Sequence, residues 1–201
     1  MIRDYGLAEI GMISNVEIRR KIVHLATLSI PIGYSFLPEK TVVIIVFFLF
    51  LGFLSVDLLR HYHSGMAFLF RSYFFGKVLR EEEKGTLMGS TYFLFSTVLT
   101  LLLFPKSIAM VSLLILILSD TAAALVGKWI GQVRIFNKTL EGSLAFFLCS
   151  LLIVWVYSDL SRLSGGLVCL GATLIELLPT GMNDNLTIPL VAGAIMFFGG
   201  G

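Results

Sequence analysis

The chain has 201 residues, 57% of them hydrophobic and only 14% charged, with a formal net charge of +2 and a mean hydropathy of +0.92. Soluble domains carry about a quarter charged residues, and a soluble fold of this length has too little interior to hide so much apolar surface. A soluble enzyme is excluded, no nucleic-acid partner is expected, and the composition predicts an all-α, polytopic membrane helix bundle.

The length suits one integral-membrane domain, 1–201. Residues 1–18 form an N-terminal segment that lacks the charged start and short apolar run of a cleavable signal. A membrane helix needs roughly 17–25 mostly apolar residues, and the apolar runs predict about seven spans: about 21–37, 41–60, 88–104, 107–127, 143–158, 164–179 and 186–200. Pro38-Glu39-Lys40, Pro105-Lys106, Ser158-Asp159 and Pro179-Thr180-Gly181 separate them, because proline removes a backbone donor and glycine frees the chain. With the N-terminus in the cytoplasm, only Lys40, Lys106 and Arg162 fall outside, and the other twelve of the fifteen Lys and Arg residues fall inside. That asymmetry is what the positive-inside rule demands. Residues 61–87 then form an interfacial cytoplasmic loop. Its aromatics, interleaved with Arg71, Lys77 and Arg80, suit an amphipathic segment in the headgroup layer, either a doorway for a lipid or a plain linker. Cys149 and Cys169 sit in apolar segments and indicate neither a disulfide framework nor a metal site.

The polar residues gather on the predicted cytoplasmic side. RRKIVHLA (19–26) places Arg20 and His24 on one helical face beside Lys21; a functional pair competes here with a snorkelling anchor. GTLMGSTYF (85–93) offers Gly85, Thr86, Gly89 and Ser90 at a helix start, where backbone N–H groups favour an anion. The same glycines also suit close helix packing. SDTAAALVGKWIG (119–131) carries Asp120 into an apolar helix, and an intramembrane acid costs about 2.5–3.5 kcal/mol unless it has a partner or a task. Ala124 and Gly127 share its face and leave room for a ligand or a close helix, with Lys128 at the rim. NKTLEGS (137–143) places Asn137 or Thr139 as a helix cap, Glu141 in the first turn and Lys138 beside them. Glu176 lies near Pro179, and NDNLTIP (183–189) opens the last span with Asn183, Asp184 and Asn185, which suit a cap or a metal. Asp120, Glu141, Glu176 and Asp184 thus come from four helices at one level. A Mg²⁺–nucleotide site needs such a set, since Mg²⁺ takes one or two carboxylates, phosphate oxygens and water.

RKIVH (20–24), GTLMGSTY (85–92), SDTAAALVGKWIG (119–131), NKTLEGSLAFF (137–147) and ELLPTGMNDNLTIPL (176–190), in this order, resemble the polyprenol kinase family. Its members are dolichol kinase, phytol and farnesol kinase, and CTP-dependent diacylglycerol kinase. The resemblance covers about residues 17–198. It implies transfer of the γ-phosphate of CTP to the hydroxyl of a membrane lipid alcohol, leaving CDP. It also places Arg20, Lys21, Asp120, Gly127, Lys128, Lys138 and Glu141 in the nucleotide and catalytic set, with Asp184 and Asn185 matching the acid-rich start of the last helix. Gly181-Met182-Asn183 stands where many relatives have further acids. The chain is also shorter than the eukaryotic dolichol kinases and closer to compact microbial and plastid members.

Residues and resemblance together give one expectation. Phosphoryl transfer is mainly positioning and charge neutralisation. Mg²⁺ is expected on carboxylates among Asp120, Glu141 and Asp184. Phosphate charge is expected on Arg20, Lys21, Lys128 and Lys138, and the nucleotide also at Gly85, Thr86, Gly89, Ser90, Gly127 and Thr139. Asp120 is alternatively the acceptor of the alcohol proton. The rival enzyme is a phosphatidate cytidylyltransferase, which releases pyrophosphate. The rival non-enzyme is a small transporter, which calls for polar residues through the outer half, where the chain is nearly bare of charge.

Overall fold

The computed structural model describes residues 15–62 and 86–199. Gly85 and nearly all of the expected 61–87 loop lie outside the described residues, as does most of the N-terminal segment 1–18. Helix α1 (Asn15–Ala26) and helix α2 (Ser29–Phe36) divide the first expected span at Thr27–Leu28. Pro31 accounts for the division: it has no N–H for the Thr27 carbonyl, and its ring crowds that oxygen. Ile30 N–H takes the carbonyl instead at 2.9 Å. Leu37, just before Pro38, is extended (φ −95, ψ 158), as a residue preceding proline must be.

Helix α3 (Glu39–Tyr62) runs 24 residues, about 36 Å at 1.5 Å per residue. Helix α4 (Gly89–Leu103) and helix α5 (Lys106–Leu114) follow; α5 continues through a π-helical turn (Ile115–Ser119) into helix α6 (Asp120–Trp129). A small antiparallel hairpin, β1 (Arg134–Ile135) with β2 (Lys138–Thr139), pairs Arg134 with Thr139 and Ile135 with Lys138. This hairpin is the only strand pairing among the described residues, in an otherwise helical fold. Helices α7 (Leu140–Tyr157), α8 (Arg162–Leu177) and α9 (Asp184–Gly199) complete the described chain.

Three helices are long and apolar enough to cross a membrane: α3, the continuous run Lys106–Trp129, and α7. Helices α4 and α9 are apolar but shorter. The core forms around the π-helical turn, whose Ile115, Leu116 and Ile117 are fully buried, and around α9, which packs on α8, α4 and α5. Outward-facing Phe48, Leu102, Trp155 and Phe198 are strongly exposed. Such side chains face lipid at little cost, and their number agrees with the apolar composition.

Candidate active site

The extra residue per turn of a π-helix rotates whatever follows it, and here it directly precedes Asp120. The neighbouring Ile117 is sealed in the core, whereas the Asp120 side chain keeps 23% exposure. The half-buried acid has a partner. Lys21 Nζ lies 2.6 Å from Asp120 Oδ2 and 3.3 Å from the Asp120 carbonyl. His24 Nε2 stands 3.7 Å from the same carboxylate oxygen, with its ring edge-on to Phe93 at 5.9 Å. Lys21 and His24 therefore point into the protein rather than snorkelling toward headgroups.

The hairpin aims a second lysine. Its two-residue turn, Phe136–Asn137, holds Phe136 at φ 55, a left-handed conformation that bulky residues rarely adopt. Lys138 then reaches Glu176 Oε1 and Asp184 Oδ2, each at 2.8 Å. Glu176 is only 2% exposed, and its other oxygen accepts from Ser143 Oγ at 3.0 Å. Burial alone would lower the Lys138 pKa. The charges of Asp184 and Glu176 and their hydrogen bonds outweigh it, so the ammonium is held above the usual lysine range. Among the pairings that mattered, this one was invisible in the sequence, where Lys138 and Glu176 are 38 residues apart.

Thr139 is the N-cap of α7 and accepts from Gly142 N–H at 3.2 Å. Glu141 does something other than the expected metal binding. Its carboxylate turns to the chain after α6 and accepts from Gln132 N–H at 3.0 Å and Val133 N–H at 3.2 Å. The glycines on either side let α6 and α7 touch. A Cβ on Gly127 would stand 2.7 Å from Thr139 Oγ1, and one on Gly142 would stand 2.9 Å from the Ala123 carbonyl. The close helix, one of the two readings open for Gly127, is realised here, and Gly127 also lines the cavity between these elements.

A further acid organises the Thr86–Ser90 stretch. Asp57, buried in α3, accepts from Arg60 Nε at 2.7 Å, Met88 N–H at 2.9 Å and Thr91 Oγ1 at 2.5 Å. Arg60 in turn donates to the Thr86 carbonyl at 2.7 Å. Sequence reasoning gave Asp57 no role. The available signal was a lone acid inside an apolar helix with an arginine three residues on. From the other side, Asn185 Nδ2 donates to the Gly89 carbonyl at 3.0 Å. Pro189, inside α9, leaves the Asn185 carbonyl without its helical donor; Ser96 Oγ lies 2.6 Å from that oxygen.

These elements enclose one cavity of about 1280 Å³. Of the expected site residues, Arg20, Lys21, His24, Thr86, Gly89, Ser90, Asp120, Gly127, Lys128, Lys138, Thr139, Glu176, Asn183, Asp184 and Asn185 all line it. Glu141 does not, and Gly85 lies outside the described residues. Among the described residues no three His, Cys, Asp or Glu side chains are arranged to hold a metal ion, so the expected trio of Asp120, Glu141 and Asp184 is not assembled. The donors do fit a Mg²⁺ carried in on phosphates, which needs only one or two carboxylates: Asp120 and Asp184 keep 23% and 33% of their side chains exposed.

No family model matches the chain, and no solved structure matches it. An uncharacterized protein of Rickettsia prowazekii is 36% identical over 184 residues, 87% of this chain and 90% of its own. CTP-dependent diacylglycerol kinase 1 of Schizosaccharomyces pombe is 31% identical over 141 residues, 61% of this chain and 65% of the kinase. Its namesake in Saccharomyces cerevisiae is 27% identical over 149 residues, 60% of this chain and 51% of the kinase. The chain thus matches between half and two thirds of the length of these two kinases. It belongs to the same family as the Rickettsia prowazekii protein, and its homologues include the CTP-dependent diacylglycerol kinases.

Proposed function

We propose that the protein is a multi-pass membrane kinase, N-terminus and site facing the cytoplasm, that moves the γ-phosphate of CTP to the hydroxyl of a lipid alcohol. Diacylglycerol is the acceptor to try first, given the names of the homologues. The observation that carries the reading is the joining of two kinds of wall in one cavity. Arg20, Lys21, Lys128 and Lys138 with Asp120 and Asp184 form one part, and apolar residues of α1–α3 form another. That combination suits a charged nucleotide meeting a lipid.

In the proposed reaction the lipid hydroxyl oxygen bonds to the γ-phosphorus. The bond from that phosphorus to the β,γ-bridging oxygen breaks, and CDP leaves with the electron pair. Lys128, Lys138 and Arg20 offset charge on the phosphates, and the start of α4 at Gly89–Ser90 turns backbone donors toward them. Asp120, held by Lys21 at 2.6 Å, takes the proton of the hydroxyl, and its ion pair keeps the carboxylate ready to accept. Mg²⁺, held by Asp184 and the phosphates, would neutralise charge developing between the β- and γ-phosphates. The glycines and Thr139 at the α6–α7 contact fix the spacing of Asp120 and Lys138.

The test is transfer of label from γ-labelled CTP, beside γ-labelled ATP, by purified protein to diacylglycerol, dolichol, polyprenol, phytol and geranylgeraniol. Labelled lipid phosphate from CTP supports the kinase and names its acceptor. No labelled lipid, with pyrophosphate released when phosphatidate is supplied, transfers the case to the cytidylyltransferase.

A further inference from the structure

We propose that the lipid's chains lie in the arm of the cavity between α1–α2 and α3, with its hydroxyl bridging His24 and Asp120. This rests on the kinase reading and adds where the second substrate sits. The cavity has two kinds of lining, contributed by different elements. Lys128, Lys138 and Asp184 line it from α6, the hairpin and α9, while Val23, Ile30, Leu49 and Phe53 line it from α1, α2 and α3. On α3, Leu49 and Phe53 share a face with the buried Asp57, and Leu49 lies about 12 Å further along the helix axis. Leu49 lines the cavity and is still 46% exposed, so the arm opens where a membrane-spanning helix faces lipid. A chain can enter from the side without leaving the bilayer, and no solvated headgroup has to cross the apolar layer.

At the inner end of the arm is an unmet hydrogen bond. His24 Nε2 is buried with no hydrogen-bond partner, and it stands 3.7 Å from Asp120 Oδ2, too far for a direct bond. A hydroxyl is both donor and acceptor. His24 Nδ1–H donates to the Leu116 carbonyl, so the neutral ring presents Nε2 as an acceptor. A hydroxyl seated between Nε2 and the Asp120 carboxylate shares its proton between them, which satisfies the orphaned nitrogen. An ether or an ester oxygen at the same place has no proton to donate and leaves His24 Nε2 without a partner. The arrangement therefore selects a free lipid hydroxyl, and it presents the oxygen beside the group that takes its proton.

The experiment is photo-crosslinking of the wild-type chain in phosphatidylcholine vesicles with a diacylglycerol carrying a diazirine in one acyl chain, without nucleotide. Label is expected at Ile30, Leu49 and Phe53. Unlabelled diacylglycerol should compete it away, and diacylglycerol O-methyl ether should not. Leu49→Trp should reduce labelling at Ile30 and Phe53 several-fold, and His24→Leu should erase the preference for alcohol over ether. Label spread evenly over outward residues such as Phe48 and Leu152, or competed equally by the ether, overturns the proposal. The phosphate-transfer assay is read separately. Labelling of the arm with no transfer from CTP defeats the kinase reading and leaves the lipid site standing. Transfer to diacylglycerol with no labelling of the arm defeats the lipid site alone.

Discussion

Lys21 and Asp120, 99 residues apart in the chain, meet at 2.6 Å through Lys21 Nζ and Asp120 Oδ2. The pair joins α1 to the start of α6 at the point where the π-helical turn releases the chain. An ion pair in this position has two consequences. It removes the cost of carrying an acid into an apolar helix, and it fixes the carboxylate that faces His24 and the proposed hydroxyl.

Asp120→Asn separates the two roles open to this acid. As the proton acceptor, Asp120 supplies rate rather than nucleotide affinity, and general-base assistance is worth about 10²–10⁴-fold. Turnover should fall by that order, while CTP–Mg²⁺ affinity, measured by equilibrium binding, stays within a few-fold. If affinity and turnover fall together, Asp120 holds the metal or the nucleotide instead.

Lys138 gives a pH signature. Its folded pKa is raised by Asp184 and Glu176 against the opposing effect of burial. A raised cationic pKa means the folded state holds its proton longer. The stabilisation is therefore complete below the ordinary lysine pKa of about 10.4 and is lost as pH climbs through the higher folded value. Lys138→Met leaves Glu176 buried without its cation, at a cost of about 3 kcal/mol. Thermal melts of both proteins in detergent should differ by a constant amount from neutrality to about pH 10 and converge above it. A difference that disappears already near pH 7 would show that the ammonium is not what holds the cluster.

Glu141 is the sharpest disagreement with a metal-ligand role. A glutamine can still accept from Gln132 and Val133 N–H through its carbonyl oxygen, whereas alanine cannot. Transfer by Glu141→Gln should stay close to wild type, and transfer by Glu141→Ala should drop clearly as the chain between α6 and β1 loosens. Equal, severe loss in both variants, with metal affinity reduced, would return Glu141 to the metal.

Much of this site could be read from the chain because its residues cluster in short runs at the same ends of apolar helices. Asp120, Glu141, Glu176 and Asp184 were placed at one level by that reasoning, and all but Glu141 line the same cavity. What escaped was pairing and direction. A 3.6-residue period tells which face Glu141 occupies, but the loop it ties down is set by the hairpin. Gly127 has small neighbours whether a ligand or a helix fills the space, and only packing shows Thr139 there. Asp57 was missed because its partners Met88 and Thr91 lie more than 30 residues away, where no local period reaches. The single long first span failed for a local reason that was legible: Pro31 denies Thr27 its helical hydrogen bond.

Asp57→Asn should be among the more destabilising single changes in the chain. An amide cannot match the charge of Arg60, whose side chain is only 8% exposed, and it offers one acceptor where three donors converge. Breaking one member of a buried pair costs about 3–5 kcal/mol. The melting temperature in detergent should fall accordingly, and the KM for CTP should rise as the Thr86–Ser90 stretch loses its anchor. An unchanged melting temperature would mean that Arg60 and Met88 find other partners.

The last pair, Ser96 and Pro189, yields a test by cycle. Proline at 189 leaves the Asn185 carbonyl without the N–H that an ordinary helix would supply, and Ser96 Oγ stands 2.6 Å from that oxygen. The same hydroxyl also lies 2.9 Å from the Phe93 carbonyl, so its one proton is shared. Ser96 is fully buried, and no water replaces it easily. Ser96→Ala in the wild-type background therefore orphans a buried carbonyl, at about 1–3 kcal/mol. Pro189→Ala restores the helical donor to Asn185, and the cost of Ser96→Ala in that background should shrink to a small fraction of its former value. The coupling, read as the difference between the two costs, should be positive and at least about 1 kcal/mol. Because the Asn185 side chain holds the Gly89 carbonyl at 3.0 Å, Ser96→Ala should also weaken CTP binding, and Pro189→Ala should restore it. Additive costs would mean that Ser96 serves Phe93 alone, and that the kink in α9 is satisfied by some other donor.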